Sequence, residues 1–343
     1  MDLATVWFAI IAFFWTGYFI LEGFDFGVGA LLHTIAGDTR ARTTMLNTIT
    51  PVWDGNEVWL VVAAGATFAA FPAWYATMFS AFYLPLLVIL VALIVRALGL
   101  EYRGKRPERT WRRRWDIAIT AGSIIPALAW GLLIADMTYG IPIDAAGHYT
   151  GTTLDLFTPY GITAAATTAA LFTTHGAIFT ALKTTQRLRE RALKTAAIMA
   201  PATLAVTTVF LTWTAIVHNS TAATLLAATG TIALTAAMWA AIRYREGIAF
   251  TATTIAIAVT IAAQFAGAFP NVVVSSLDPG WSLTVTTTAS SHYTLTVMTI
   301  TAGIIAPLVL AYQGWTYWVF RNRITQAPVG AADNTDGPAR ITG

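Results

Sequence analysis

The sequence predicts an all-α, polytopic membrane protein of about nine spanning helices, with its N-terminus outside and its C-terminus in the cytoplasm. Three observations carry that prediction. Of 343 residues, 56% are hydrophobic and only 11% charged. Soluble domains carry about 25% charged residues, so the chain lacks the polar surface that water requires on all sides. Apolar stretches of span length recur along it, and the basic residues gather in alternate connections between them.

Stretches of about 18 apolar residues or more read as spans, because about 20 residues rising about 1.5 Å each cross the hydrocarbon layer. They lie at 4–32, 47–70, 75–99, 116–135, 159–182, 196–218, 222–242, 247–269 and 294–320. Polar connections at 100–115, 136–158, 183–195 and 270–293 separate them, while only His218, Asn219, Ser220 and Thr221 divide the sixth from the seventh. The start is acidic and runs into the first span without a small-residue cleavage site, so no removable signal peptide is expected. One transmembrane domain is expected over 1–323. The tail at 324–343, rich in Gly, Pro, Asn and Asp, reads as disordered and cytoplasmic.

Charge sets the orientation. Arg40 and Arg42 follow the first span, and Arg96, Arg103, Lys105, Arg106, Arg109, Arg112, Arg113 and Arg114 surround the connection after the third. Lys183, Arg187, Arg189, Arg191 and Lys194 follow the fifth, Arg243 and Arg245 the seventh, and Arg321, Arg323 and Arg340 the ninth. These are all twenty basic residues. The other side carries only acids: Asp2, Asp136, Asp144, Asp155 and Asp278. Basic connections stay in the cytoplasm, which places the N-terminus outside. The net charge of +3 therefore reports topology and does not point to a nucleic-acid partner.

Four carboxylates lie inside predicted spans: Glu22 and Asp25 in the first, Asp54 and Glu57 in the second. Each pair is spaced i,i+3 and shares a helical face. Both pairs fall at the cytoplasmic third of the membrane. No Lys or Arg within the apolar core is expected to pair with them, Arg96 near the inner end of the third span being the nearest. Buried acids are costly and functional by default, so some are expected to be protonated, hydrated or supported by a partner chain. Such carboxyls, open to the cytoplasm, suit proton uptake. A structural reading competes: Pro51 starts a helix, Asp54 complements its dipole, and Glu22 snorkels. Gly23, Gly27 and Gly29 let another helix approach.

The chain has no cysteine, which excludes disulfides, thiolate metal sites and covalent haem attachment within it. Of the histidines, His33, His148, His175, His218 and His292, only His175 lies well inside a span. It reads as a hydrogen-bonded packing residue, with haem or metal ligation the lesser reading. Most of the thirteen tryptophans, among them Trp7, Trp74, Trp111, Trp115, Trp281, Trp315 and Trp318, lie near span ends, as an interfacial belt would. Trp53 and Trp59 instead flank the second acid pair. The basic run at 111–115 reads as a topology determinant touching anionic headgroups. On the residues alone, two classes stay open: a proton-coupled transporter, and a subunit of a respiratory complex.

The motifs narrow that choice. The segments EGFDFGVG at 22–29 and PVWDGNEVW at 51–59 resemble the signature stretches of subunit II of the cytochrome bd quinol oxidases. Arg96, Gly99, Glu101, Tyr102, Arg103 and Lys105, then Trp111, Arg112, Trp115 and Asp116, resemble a third cytoplasmic motif. Gly122, Ser123 and Pro126 follow in family order, then Phe269 and Pro270 with Ser275 and Ser276, and finally Ser290, Ser291, Thr294, Leu295 and Met298. The likeness covers roughly 1–320.

It implies a bacterial cytoplasmic-membrane complex with subunit I, which would carry two b-type haems, one d-type haem and the quinol site, with room for small accessory subunits, lipid and quinone. The complex would oxidise quinol and reduce O₂ to water with protons from the cytoplasm. This chain would hold no haem and no complete active site. The resemblance assigns Asp25 and Asp54 to the proton path and sets Trp59 beside the O₂ route. Glu22 and Glu57 stand where relatives often have Asp and Gln, and are expected to join the same path. The rival is a stand-alone proton-coupled transporter, for which internal repeats and broken helices are the usual signs. Neither is evident.

Overall fold

A computed structural model describes residues 2–325 of the chain. Among them are nine long helices: α1 (Leu3–Ala30), α2 (Trp53–Ala70), α3 (Tyr83–Tyr102), α4 (Arg109–Tyr139), α5 (Pro159–Lys183), α6 (Gln186–His218), α7 (Thr221–Ile242), α8 (Glu246–Ala268) and α9 (His292–Val319). All but α2 are long and apolar enough to cross a membrane. α2 is only 18 residues long, and Asp54, Asn56 and Glu57 occupy its first turns. The predicted tail lies outside the described residues from 326 onward; before it, the Ile324 N–H donates to the Lys183 carbonyl at 2.7 Å.

Helix starts follow local chemistry. Asp2 accepts from the Thr5 N–H at 2.9 Å and so caps α1. Thr158 accepts from the Gly161 N–H at 2.8 Å, with Pro159 at the first position of α5. Ser220 and Ser291 cap α7 and α9 in the same way.

Three boundaries depart from the hydropathy reading. The apolar segment from 47 is not one helix, because residues 47–52 form hydrogen-bonded turns and α2 begins only at Trp53, two residues after Pro51. The predicted span at 75–99 is broken at Phe82 into a helix Pro72–Ala81 and α3. Pro85 falls in the first turn of α3, where its missing N–H costs little. Finally, α4 and α6 begin several residues before their apolar segments, so the basic runs around Arg112 and Arg189 are helical. Hydropathy cannot see this, since Arg, Glu, Gln and Lys are good helix formers that happen to be polar.

Connections gather at two ends. At one, Asp116 of α4 takes Arg103 at 2.5 Å and Arg42 at 3.2 Å, while Lys183 donates to the Phe320 and Asn322 carbonyls. Glu246 at the start of α8 holds Arg189 at 3.1 Å and pairs with Arg323. At the other, strands β1 (Asn271–Val273) and β2 (Leu283–Thr284) pair antiparallel, and the Ile141 N–H reaches the Val274 carbonyl at 3.0 Å. Basic residues thus collect at one end of the bundle, as the charge count requires.

The helix α1 runs through the core, where Trp15, Tyr18 and Phe19 mesh with Trp130 and Phe172. Trp130 Nε1 donates to the Tyr18 hydroxyl at 3.0 Å. Trp7 and Trp74 also belong to this core: they are 3% and 1% exposed, and Trp74 Nε1 points at Met137 Sδ. They are therefore not belt residues, unlike the exposed Trp281, Trp315 and Trp318. Hydropathy places a tryptophan along the membrane normal and says nothing of which way it faces. By contrast α9 is peripheral, with Leu295 its one buried side chain.

Candidate functional site

Glu22 and Asp25 project from α1 into the interior and are both fully buried. Their depth depends on close helix approach. A Cβ at Gly27 would fall on the backbone of Phe172 and Gly176, so α1 and α5 cross here with no side chain between them.

Glu22 has a partner. Arg96 of α3 donates from Nη1 to Glu22 Oε2 at 2.8 Å, with the two side chains 1% and 0% exposed. Its guanidinium also lies 4.9 Å above the Phe26 ring. No Lys or Arg within the core is expected from the sequence to pair with the acids, Arg96 being the one nearby candidate, and that candidate is the partner of Glu22. Arg96 lies in the buried part of α3, inside the predicted span at 75–99. Gly122 of α4 makes room, because a Cβ there would press on the Arg96 backbone and Cβ.

Asp25 is held differently. Asn56 of α2 donates from Nδ2 to Asp25 Oδ2 at 2.7 Å. On its other side, Asn56 Oδ1 accepts from the Tyr317 hydroxyl at 2.6 Å and from Gln313 Nε2 at 3.1 Å, both on α9. Sequence reasoning passed over all three residues. The signal was present: three amide or hydroxyl side chains in otherwise apolar spans, one of them between two acids.

The second acid pair does not converge as a pair. Glu57 is partly buried and feels the charges of Arg96 and Asp54, whereas Asp54 is exposed on the first turn of α2. The helix starts late, at Trp53, which leaves Asp54 at its rim. The four acids thus form a gradient, from exposed Asp54 through Glu57 to fully buried Glu22 and Asp25. Within the inner group Glu22 Oε1, Asp25 Oδ1 and Arg96 Nε and Nη2 are buried without a hydrogen-bond partner. Buried polar atoms of this kind are ordinarily satisfied by internal water.

Trp59 stands one turn and more beyond Asp54 on α2. Its ring packs on Phe13 and Phe14 at centroid distances of 5.9 and 6.2 Å, and covers Gly17 so closely that no Cβ would fit. His175 lies apart from the acids, fully buried, with Nδ1 2.7 Å from the Thr253 hydroxyl and its ring stacked 4.5 Å from Phe250. That geometry packs the ring and engages Nδ1, while Nε2 is buried without a hydrogen-bond partner. Among the described residues no group of three His, Asp or Glu side chains is arranged to hold a metal ion.

The polar ends titrate differently. In the connection after α4, Asp144 accepts the His148 and Ala146 N–H groups at 2.8 and 2.9 Å, and these hold its carboxyl below the usual range. Asp155 is lowered likewise by the Thr152 N–H, then by its hydroxyl.

A family model described as cytochrome bd terminal oxidase subunit II matches residues 3–320. The chain is 37% identical to the cytochrome bd ubiquinol oxidase subunit 2 of Bacillus subtilis, covering 94% of this chain and 97% of that one. It is 30% identical to the cytochrome bd-I ubiquinol oxidase subunit 2 of Escherichia coli K12, over 95% and 96%. In fold it matches a chain of the bd oxidase structure from Geobacillus thermodenitrificans, with a TM-score of 0.68, 15% identity, and 94% and 100% of the two chains covered.

Proposed function

Because the chain belongs to the cytochrome bd terminal oxidase subunit II family, and so is a subunit of a quinol oxidase complex, we propose that its acid gradient carries protons from the cytoplasm toward the site of O₂ reduction. The transporter reading has no support from any relative. The observation that carries the proposal is the graded burial of Asp54, Glu57, Glu22 and Asp25 at the basic end of the bundle. The positive-inside rule makes that end cytoplasmic, with the N-terminus outside, in a bacterial cytoplasmic membrane.

Asp54 is the entrance, exposed and able to exchange protons with solvent. Glu57 relays to the inner group. There Arg96 compensates the charge on Glu22, so the group can take a proton without burying an unpaired charge. Asp25, oriented by Asn56, is the exit carrier. Water on the unpartnered oxygens of Glu22 and Asp25 would close the gaps between carboxyls.

The two b-type haems and the d-type haem, with the quinol site, belong in this reading to subunit I, where they would supply the electrons for O₂ reduction. In this reading His175 is a packing residue, with Nδ1 held by Thr253 and its ring stacked on Phe250. Trp59, on the apolar side of the acids, would line the way in for O₂.

The test is turnover of the intact complex with Asp25→Asn, Asp54→Asn and both. An asparagine at 25 can still accept from Asn56 Nδ2, so the packing survives while proton transfer does not. Oxygen consumption is expected to fall with haem content and the rate of haem reduction by quinol retained. Residues acting in one chain are non-additive, so the double variant should be little worse than the poorer single. Normal turnover of a fully assembled Asp25→Asn complex would reject the path.

A further inference from the structure

We propose that Tyr317 and Gln313 of α9 are positioning residues for Asp25: they lock the Asn56 amide so that its NH₂ group always faces the carboxylate. The inference deepens the proton-path reading and rests on it.

An asparagine amide can turn over at little steric cost, and the turn exchanges a donor for an acceptor. At Asn56 the hydrogen-bond partners disfavour the turn. Its Oδ1 receives two donors from α9, the Tyr317 hydroxyl at 2.6 Å and Gln313 Nε2 at 3.1 Å, while Nδ2 faces Asp25 Oδ2 at 2.7 Å. Turned over, Asn56 would set its NH₂ against the Gln313 NH₂ and its oxygen against a carboxylate oxygen. Asn56 and Asp25 are both fully buried, so no solvent could relieve the clash of the two oxygens. Gly55 belongs to the same device: a Cβ there would come within 3.2 Å of Gln313 Oε1.

The lock matters because of what surrounds it. Asn56 is the one side chain that hydrogen-bonds Asp25, whose Oδ1 is otherwise unpartnered among the described residues. Releasing Asn56 would free the carboxylate to rotate and break its alignment with the groups on either side. The donors come from α9, which buries only Leu295 against the rest of the bundle. The orientation of the innermost acid thus depends on how the least embedded helix is seated.

The experiment uses the intact oxidase complex carrying Tyr317→Phe, Gln313→Leu, or both, each with and without Asp25→Asn. Isotope-edited infrared spectra identify the Asp25 carboxyl band as the one that Asp25→Asn removes. In the double Tyr317→Phe, Gln313→Leu variant the band is expected to shift and broaden, and kcat to fall several-fold. Quinol KM and haem content should stay unchanged, and in the Asp25→Asn background the double variant should add no further loss. An unshifted band with normal kcat in a fully assembled double variant would overturn the lock. So would a loss that persists in full on Asp25→Asn, since the two residues would then be acting on something else. If the double variant fails to assemble, Tyr317→Phe alone is read on the same band. It should show a smaller shift of the same sign, and an unchanged band is decisive against the proposal. A shifted band in a protein whose Asp25→Asn form turns over normally would keep the lock and reject the proton path.

Discussion

Replacing Arg96 by Met tests the electrostatic design of the inner cluster most directly. Arg96 and Glu22 are 2.8 Å apart, and their side chains are 1% and 0% exposed. At this burial the attraction is unscreened, but the desolvation of both ions nearly cancels it, so the pair itself contributes little net stability. Removing one partner is another matter. Arg96→Met preserves most of the buried volume but leaves Glu22 with no counter-charge, which costs about 3–5 kcal/mol in comparable pairs. At about 1.4 kcal/mol per factor of ten, that is a loss of about two to four decades in the folding equilibrium. The Glu22→Gln, Arg96→Met double variant removes both charges and should recover most of it, because an apolar or neutral replacement of a buried pair is often neutral. The assay is the amount of assembled, haem-containing complex in membranes, followed by its half-life in detergent at raised temperature. Two results would refute the reasoning. One is an Arg96→Met complex as durable as the parent; the other is a double variant no better than the single, which would make Arg96 a packing residue whose charge is incidental.

Three further outcomes are expected. Gly17→Val should displace the Trp59 ring that covers Gly17, and Trp59→Ala should remove it; both should raise the KM for O₂ while leaving quinol KM unchanged, as read by an oxygen electrode at limiting O₂. Reporters fused after Gly147 should be active outside and those after Arg323 inside, and a cytoplasmic 140–158 connection would overturn the orientation. In that connection the Asp144 and Asp155 carboxyls are held below their ordinary value near 3.8. Groups lowered on folding contribute order above the unfolded pKa and lose it as pH falls through the folded one. Hydrogen exchange of the 140–158 peptide in the intact complex should therefore stay protected down to about pH 4 and fray below it, and Asp155→Asn should flatten that dependence.

How much of this was legible beforehand depends on what each pattern encodes. Basic asymmetry follows from charge, which acts along the chain, and the gathering of basic residues at one end agrees with it. Of the nine expected spans, eight are helices long and apolar enough to cross, and α2 falls short because Asp54, Asn56 and Glu57 occupy its first turns. The break at Phe82 was hidden because Phe82 and Pro85 lie inside one apolar run, and apolar character does not distinguish a straight helix from two. The helical starts of α4 and α6 were hidden for the opposite reason: polar helix formers look like a connection. Direction around a helix was also out of reach. With almost every residue apolar there is no polar face to betray the inside, which is why Trp7 and Trp74 were mistaken for a belt.

The same physics explains the uneven reading of the site. Glu22, Asp25, Asp54 and Glu57 stood out because a carboxyl is costly in hydrocarbon. Arg96 was noticed only as a neighbour, since its basic character assigned it to the topology count before its partner was known. Asn56, Gln313 and Tyr317 were invisible to a charge-based search, although they decide how the innermost acid is oriented. Yet a buried carboxylate in such a site must be supplied with donors, and a neutral donor favours its charged form less than a cation does. An arginine hydrogen-bonded to Asp25 would hold it as an anion more firmly than the Asn56 amide does. A side-chain amide gives direction without a counter-charge, and an amide needs partners of its own to hold its sense. The search for a proton path in a membrane span should therefore follow each acid to its nearest Asn or Gln, and from there to whatever fixes that amide.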